Sequence, residues 1–369
     1  AAIMLSFVLI AKASAKRVNI FNVIAVAAFI LLISNPFNIT NVGFQLSFIA
    51  VSGLIYLQPK INSLYQPKNK IITFLWSIIA VSIAAQVATA PISLYYFHQF
   101  PVYFIISNLF IVVPATLIMY LGIALLIFSG LEPLAKILGY LLNQLIDFTN
   151  NGLFLIEQIN HANIKQIWWS VATIALCYAI LILFLKSNKN KYYLKFAFAL
   201  FGIFIFKMSD DEFKHIRQKQ VAFFSLRKNT AVAFIKGRNA TLITDLDVND
   251  YTYLFSVKPY LDSCHVQYIK YVNPHLNVGE KLFSFAGKQL KIINHKNNNF
   301  NASKADWLLL SGDKIYDLDR VLYSNKVKVL FIDGKNRDFV IDDFKQQLGK
   351  HQQPYHVLKR DYAVEIKLE

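Results

Sequence analysis

The sequence predicts a polytopic α-helical membrane region followed by a soluble, β-rich α/β domain. The chain is 55% apolar and has a mean hydropathy of +0.40. Residues 1–206 hold 12 Lys and Arg and 3 Asp and Glu, whereas residues 207–369 hold 26 and 19. The first region is too poor in charge for a soluble surface. The second is long enough to bury a core of its own. We therefore place the domain boundary between residues 206 and 207.

Apolar runs follow one another through the first region. They lie at 1–11, 20–34, 42–57, 71–90, 102–128 and 167–185, with a shorter run at 192–206. A membrane span needs about 20 residues, so 20–34 and 192–206 are short by this measure. Residues 131–160 have interrupted apolar periodicity, typical of an interfacial helix or of a span with one wet face. The chain begins inside an apolar run with no basic residue ahead of it, which predicts a piece of a longer membrane protein.

Charges in the short loops predict the orientation of these spans. Basic residues cluster at 12–17, 60–70 and 186–195, whereas the loops at 35–41 and 91–101 hold no Lys or Arg. The positive-inside rule places the basic loops in the cytoplasm and the uncharged loops outside. Consistency then requires residues 131–160 to cross. If 192–206 also crosses, the soluble domain lies outside, and if that run lies flat, the domain is cytoplasmic. We favour the outer side.

Two polar stretches interrupt the apolar runs on the uncharged side. They are "NPFNITNVGFQLSF" at 35–48 and "AAQVATAPISLYYFHQFPVYFIISNLF" at 84–110. Unpaired polar groups in hydrocarbon cost several kcal/mol, so these side chains face water or neighbouring helices. Isolated interhelical hydrogen bonds are one alternative, but clustering at one depth favours a polar cavity or pore mouth. The first five apolar runs hold no Asp or Glu, which suits an anionic or polyanionic solute better than a cation.

Both stretches resemble signature blocks of the competence domain of the ComEC/Rec2 family, the inner-membrane channel of natural transformation. The first extends to "NPFNITNVGFQLSFIAVSGLIYL", and the second ends in "NLFIVVP". The resemblance covers roughly residues 1–185 and implies passage of single-stranded DNA across the cytoplasmic membrane. It implies as partners single-stranded DNA, membrane lipid, a DNA-capturing protein outside and a cytoplasmic ATP-driven translocase, and it leaves a homo-oligomer open. The chain has no G-x-x-x-x-G-K-[ST] motif, and no cofactor is expected.

Nine residues of the two blocks are predicted to line or shape the DNA path. They are Asn41, Gly43, Gln45, Ser47, Gln86, Thr89, His98, Gln99 and Asn108. The amides of 38–48 would hold a broken or tightly packed helix start at the outer mouth, and Gly43 would permit close approach. Four nearby aromatic residues either stack bases or belong to an interfacial belt. These are Tyr95, Tyr96, Phe97 and Phe100.

The second region has the pattern of short strands. Residues 220–246 predict successive strands with a turn at Gly237–Asn239. Further strands are expected at "HVQYIKYV", "KQLKIINHK", "ADWLLLSG", "VKVLFIDG" and "HVLKRDYAVEIKL", with a helix at "VIDDFKQQLGKH". This order predicts a β-rich α/β sandwich. It also weakly resembles the metallo-β-lactamase-like domain that members of the family carry at this place.

The resemblance fails at the metal ligands. The family's Ser-His-His-Gly is replaced by Ser311-Gly312-Asp313, and its His-x-His-x-Asp-His run has no counterpart. A hydrolytic metal pair needs several clustered His and Asp ligands. The domain's isolated histidines are His265, His275 and His295, and its acidic cluster is Asp245, Asp247 and Asp250. Without a histidine that cluster is typical of a solvated turn, with a Ca²⁺ site as the alternative. We expect a metallo-β-lactamase-like domain without its metal site and without enzymatic activity.

Two functions of other classes are left open by the sequence. One is a membrane-anchored hydrolase with a divergent site that uses His265 or His275. The other is a membrane-anchored DNA-binding or scaffold protein, because residues 207–369 carry a net charge of +7 that would concentrate DNA. Cys177 lies in a predicted span and Cys264 in the soluble domain, so no intramolecular disulfide is expected.

Overall fold

The structure of the chain, a computed structural model, consists of a helical unit and a β-rich unit. It describes residues 4, 6–7, 9–10, 13, 19–187, 190–273, 281–293, 305–313, 318, 321–322, 327–350 and 353–368. The first unit is Ala1–Phe204 and the second is Ile205–Glu369. His275 and His295, which the sequence singled out, lie outside the described residues.

The first unit is built from apolar helices. They are α1 (Ile20–Ser34), α2 (Val42–Asn62), α3 (Lys70–Phe97), α4 (Phe104–Ile127), α5 (Glu132–Glu157), α6 (Val171–Lys186) and α7 (Lys191–Arg217), the last of which continues into the second unit. Helices α2, α3, α4 and α7 are long and apolar enough to cross a membrane. Helices α1 and α6 are apolar but shorter, with 15 and 16 residues. A polytopic helical region is therefore confirmed.

Polar residues at the predicted loops start these helices. The side chains of Asn19, Asn41, Asn69 and Ser170 each accept a hydrogen bond from a backbone N–H in the first turn of the helix that follows. Such N-caps satisfy donors that have no partner within the helix. At the other end of α3, His98 adopts a left-handed conformation with φ 54° and closes the helix through its N–H.

Small residues let α2 and α3 pack closely together. Gly53 of α2 lies so near Ala84 and Ala88 of α3 that a methyl group on it would overlap the Cβ of Ala88. Close approach of backbones through small residues is a common basis of helix association in membranes. Tyr178 of α6 adds a hydrogen bond of 2.9 Å to the carbonyl of Ala88, in the turn before Pro91. Pairing of these helices therefore depends on shape as well as on apolar character.

Helix α7 extends well beyond the short apolar run at 192–206. It has 27 residues and passes through position 206, where the sequence pattern placed the domain boundary. The added segment, "KMSDDEFKHIR", is polar but helix-forming, and Lys214 bonds Asp210 one turn earlier at 2.5 Å. A drop in hydropathy thus marks a change of surroundings inside the helix, and the helix itself ends eleven residues later at Arg217.

The second unit holds two five-stranded sheets. The first sheet has the order β12-β3-β4-β5-β6 and the second β11-β10-β9-β8-β7. The strands are β3 (Lys219–Phe223), β4 (Ala231–Lys236), β5 (Asn239–Thr244), β6 (Tyr268–Val272), β7 (Lys281–Phe285), β8 (Lys288–Ile293), β9 (Trp307–Leu310), β10 (Val329–Ile332), β11 (Tyr355–Val357) and β12 (Val364–Lys367). Strands β8 to β11 are parallel to one another, and β6 is parallel to β5.

The two sheets pack face to face. Their shared core includes Phe223 and Phe331, whose rings stack at 3.9 Å. The outer face of the first sheet is covered by a π-helical turn (Tyr253–Val257) and helix α8 (Lys258–Ser263). The outer face of the second is covered by α9 (Asp338–Leu348). The predicted β-rich α/β fold is confirmed, with four layers in the order helix, sheet, sheet and helix.

Candidate functional site

One face of α3 carries a continuous polar stripe. Its members are Ser82, Gln86, Thr89, Ser93 and Tyr96, spaced four, three, four and three residues apart. Residues at this spacing lie above one another on a helix. The buried residues Ala80, Ala84 and Ala88 lie on the opposite side of the helix, toward α2. Helix α3 thus separates a packing face from a polar face.

The hydroxyls and the amide of this stripe differ in how they are satisfied. Ser82 and Thr89 donate to carbonyls one turn back, at 2.9 and 2.8 Å, so both hydroxyls are satisfied within the helix. The half-buried Gln86 side chain has no hydrogen-bond partner in the described part of the chain. An amide offers two donors and an acceptor. Gln86 is therefore a polar group of the stripe that is free to bind water or a solute.

The helix start at 35–45 is broken, and its amides bind the interrupted backbone. A 3₁₀ turn at Pro36–Thr40 separates α1 from α2. Asn35 caps this turn, and Asn38 donates to the carbonyl of Leu31 at 2.9 Å. Asn41 accepts from the N–H of Phe44 at 3.2 Å. These bonds offset the cost of taking amides out of water, because they replace backbone partners that the break removes.

Gln45 joins the first polar stretch to the second. Its amide nitrogen donates to the carbonyl of Ile39 at 2.7 Å, and its oxygen accepts from the Tyr96 hydroxyl at 3.1 Å. A Cβ on Gly43 would lie 3.2 Å from the Asn41 side-chain oxygen, which leaves little room for a larger residue. The α3 stripe therefore ends at a fixed polar contact with the start of α2.

Gln99 lies in a two-stranded ribbon that begins directly after His98. Strand β1 (Gln99–Pro101) pairs antiparallel with β2 (Asn163–Lys165), and Gln99 lies opposite Lys165. The carbonyl of His98 accepts from the N–H of Ile167 at 3.0 Å. The ribbon ties the end of α3 to the segment that leads into α6.

Three buried ring nitrogens lie beside this ribbon without a partner among the described residues. The His98 imidazole stacks on Trp168, with ring centroids 3.5 Å apart. His98 Nδ1 and the Nε1 atoms of Trp168 and Trp169 have no hydrogen-bond partner among the described residues. Buried polar groups are nearly always paired in native proteins. The ribbon is thus a second place where a polar solute or ordered water would find unsatisfied groups.

The remaining predicted residues are not drawn into this network. Ser47 of α2 and Asn108 of α4 are half-buried, and no hydrogen bond links either to the stripe in the described part of the chain. Tyr95 contacts Tyr96 edge-on at 5.0 Å, and Phe100 contacts Phe104 at 6.2 Å.

Sequence reasoning missed four members of the site. These are Ser82 and Ser93 of the stripe and Trp168 and Trp169 beside the ribbon. The spacing of the two serines was visible in the sequence. The tryptophans gave no such signal, because the pairing of 99–101 with 163–165 is not local.

In the second unit, a buried polar network lies at the strand ends near Ser311, where the resemblance would place metal ligands. Asp333 follows β10 and is 1% exposed. Its carboxyl accepts hydrogen bonds from Thr230 and, at 2.6 Å, from Ser311. Asp245 accepts from the N–H of Thr230 at 2.9 Å and pairs with Lys335 at 2.9 Å. Burial raises the pKa of Asp333 to about 6, against the opposing effect of the two hydroxyl hydrogen bonds.

The histidine and the outer aspartates make other contacts. His265 stacks on His215 at 4.1 Å and lies 3.5 Å from Glu212. Burial first, and then the nearby His215, lower its pKa. Asp247 and Asp250 accept from backbone N–H groups two residues ahead, as in an ordinary turn. Among the described residues, no group of three or more His, Cys, Asp or Glu side chains could hold a metal ion.

Comparison with known proteins gives the family. The model of the Competence protein family matches residues 1–190, and that of the ComEC C-terminal domain matches residues 221–368. ComE operon protein 3 of Bacillus subtilis (strain 168) is 36% identical over 96 residues, which is 26% of this chain and 12% of that protein. The chain thus matches only a small part of that relative's length. No solved structure matches the chain. The chain is a membrane protein that belongs to the Competence protein family of ComEC/Rec2-like proteins.

Proposed function

We propose that this chain takes part in DNA uptake during competence, and that its helical unit forms part of a channel for single-stranded DNA across the cytoplasmic membrane. The family and the relative from the ComE operon support the role in uptake. The observation that carries the channel proposal is the polar stripe of α3, in which the Gln86 amide is unpaired among the described residues.

The charge of the helical unit supports a polyanionic solute. Its acids are confined to α5, as Glu132, Asp147 and Glu157. A path lined by amides and hydroxyls offers donors to phosphates without a fixed negative charge that would repel them. Cation and proton pathways through membranes normally contain a buried carboxylate. The composition of α2, α3 and α4 therefore favours DNA over a cation as the solute.

The second unit is proposed to act without catalysis. The buried Asp333 network lies at the strand ends where the resemblance would place metal ligands, and Asp333 Oδ2 accepts from both Thr230 and Ser311. Because α7 is long and apolar enough to cross, we place this unit on the outer side of the cytoplasmic membrane. A DNA-capturing protein outside and a cytoplasmic ATP-driven translocase would complete the pathway. Labelling of a cysteine at exposed Lys350 by an impermeant reagent in whole cells tests the orientation.

The uptake of labelled DNA into the cytoplasm tests the proposal. The cells carry the full-length gene intact, deleted, cut after Arg217, or with Gln86→Leu, and Val87→Leu on another side of the same helix turn is the matched control. Deletion and Gln86→Leu are expected to leave label outside the inner membrane, whereas Val87→Leu transports normally at the same protein level. The truncation reports whether the second unit is needed. Normal uptake after deletion would refute the role, and normal uptake with Gln86→Leu would refute the stripe as the path.

A further inference from the structure

A cleft opens at one end of the sandwich in the second unit. Its volume is about 860 Å³, and it lies where β4, β5 and β6 of the first sheet meet β7 of the second sheet. Phe234 and Phe285, with ring centroids 5.2 Å apart, lie in the cleft. A volume of this order is typical of a site for a small ligand or a few linked units.

The strand register places five side chains with polar groups on the face that lines this cleft. Lys236 lies opposite Asn239, Asn239 opposite Tyr268, and Thr241 opposite Lys270. Residues opposite one another in adjacent strands share a face, and residues two apart do so as well. This face packs in the core between the two sheets, and its residues become polar at the strand ends. The cleft is therefore the solvent-accessible end of the space between the sheets.

The cleft is positively charged. Lys236, Arg238 and Lys270 line it, and none of the described residues that line it is Asp or Glu. Arg238 is paired with Glu212. Lys236 and Lys270 are exposed, and neither has a carboxylate partner in the described part of the chain. The two lysines therefore present free charges to an anionic ligand.

An aromatic ring stands beside these charges. Tyr268 is 72% exposed on β6, which is the edge strand of its sheet. Exposed tyrosines beside free cations are the pattern that binds single strands, because bases stack on the ring and phosphates follow the charge. The Asp333 network is at the other end of β4, whose six residues span about 20 Å. The cleft is therefore separate from the place of the family's metal ligands.

We propose that this cleft binds single-stranded nucleic acid, with phosphates at Lys236 and Lys270 and a base stacked on Tyr268. The inference rests on the proposed function, since it takes the transported DNA as the ligand. It gives the second unit a role that needs no catalysis, namely to bind the single strand. Asn239 adds an amide for hydrogen bonding to a base edge or phosphate.

Binding of a fluorescent oligo-dT to the full chain, purified in detergent, tests this by anisotropy. The variant Lys236→Glu/Lys270→Glu is compared with Lys258→Glu/Lys350→Glu, which changes charge equally on the two outer helix-covered faces. The cleft variant is expected to bind at least ten-fold more weakly, and the control within two-fold. Losing two phosphate contacts should also lower the slope of log K against log salt by about 1.4. Tyr268→Ala is expected to weaken binding about ten-fold, and Tyr268→Phe to retain it.

Three results would overturn the inference. In the first, the cleft variant and the wild type bind oligo-dT equally well. In the second, the control variant loses as much oligo-dT binding as the cleft variant. In the third, the cleft variant loses binding to anionic lipid vesicles but keeps its binding to oligo-dT. The outcome is independent of the channel proposal. If Gln86→Leu blocks uptake while the cleft variant binds normally, only the cleft inference fails. If the cleft variant loses binding while Gln86→Leu transports normally, only the channel proposal fails.

Discussion

Replacing Asp333 by asparagine is expected to stabilise the second unit at pH 7.5 and to do so much less at pH 4.5. The Asp333 carboxyl is 1% exposed, and burial raises its pKa to about 6. Its oxygen accepts from the hydroxyls of Thr230 and Ser311. The side-chain oxygen of asparagine can accept both bonds, and the amide carries no charge to bury. The variant therefore mimics the protonated acid at every pH.

The magnitude follows from the difference between the folded and the ordinary pKa. An aspartate in the unfolded chain has a pKa of about 3.9, so a folded pKa of about 6 is a shift of about 2 units, or about 3 kcal/mol. Because the folded pKa is raised, the stabilising contribution is complete below about pH 4 and is lost as the pH rises through 6. At pH 7.5 the wild type is expected to be less stable than Asp333→Asn by about 3 kcal/mol.

The assay is pulse proteolysis of the full chain in detergent, with the urea midpoint of the second unit measured between pH 4.5 and 7.5. With a slope of about 2 kcal/mol per molar urea, the variant's midpoint should exceed that of the wild type by about 1.5 M at pH 7.5. Asp247→Asn, at an exposed turn, is the matched control and should shift no midpoint. A difference between Asp333→Asn and wild type that is the same at both pH values would refute the reasoning.

Two further predictions concern the helical unit. Gly53→Leu is expected to separate α2 from α3 and to lower the stability of the helical unit by about 1–3 kcal/mol, because even a methyl group at Gly53 overlaps Ala88. Gly139 has open space around it, so the control Gly139→Leu should be tolerated. Cysteine cross-linking of α2 to α3 measures this, and unchanged cross-linking in Gly53→Leu would contradict it. Tyr96→Phe removes the 3.1 Å bond to Gln45 and should lower thermal stability by about 0.6 kcal/mol, so an unchanged midpoint in a thermal melt counts against that bond.

Local patterns predicted most of the helical unit. The apolar runs at 42–57, 71–90 and 102–128 correspond to α2, α3 and α4, since burial in lipid requires continuous apolar sequence. The turn at Gly237 was equally readable, because φ 59° favours glycine. The end of α7 could not be predicted from the sequence in this way. Hydropathy reports surroundings and not helicity, so it could not reveal that the helix continues to Arg217.

The parts of the site that sequence reasoning missed depend on contacts between distant residues. Gln99 pairs with Lys165 across 66 positions, and Thr230 meets Asp333 across 103. No periodicity encodes such contacts, because they arise from tertiary packing. Gln45 shows the intermediate case. Its residue type and depth marked it as a site residue, whereas its partner Tyr96 became known only from the geometry.

Cross-linking of incoming DNA tests whether the polar stripe of α3 is the path of the DNA. A photoreactive residue replaces Gln86, or Ile123 on an exposed face of α4, in cells that are taking up labelled DNA. We expect position 86 to cross-link to single-stranded DNA during uptake and position 123 not to do so. Absence of a cross-link at 86 in transporting cells, or equal cross-linking at both positions, would contradict the polar stripe of α3 as the path of the DNA.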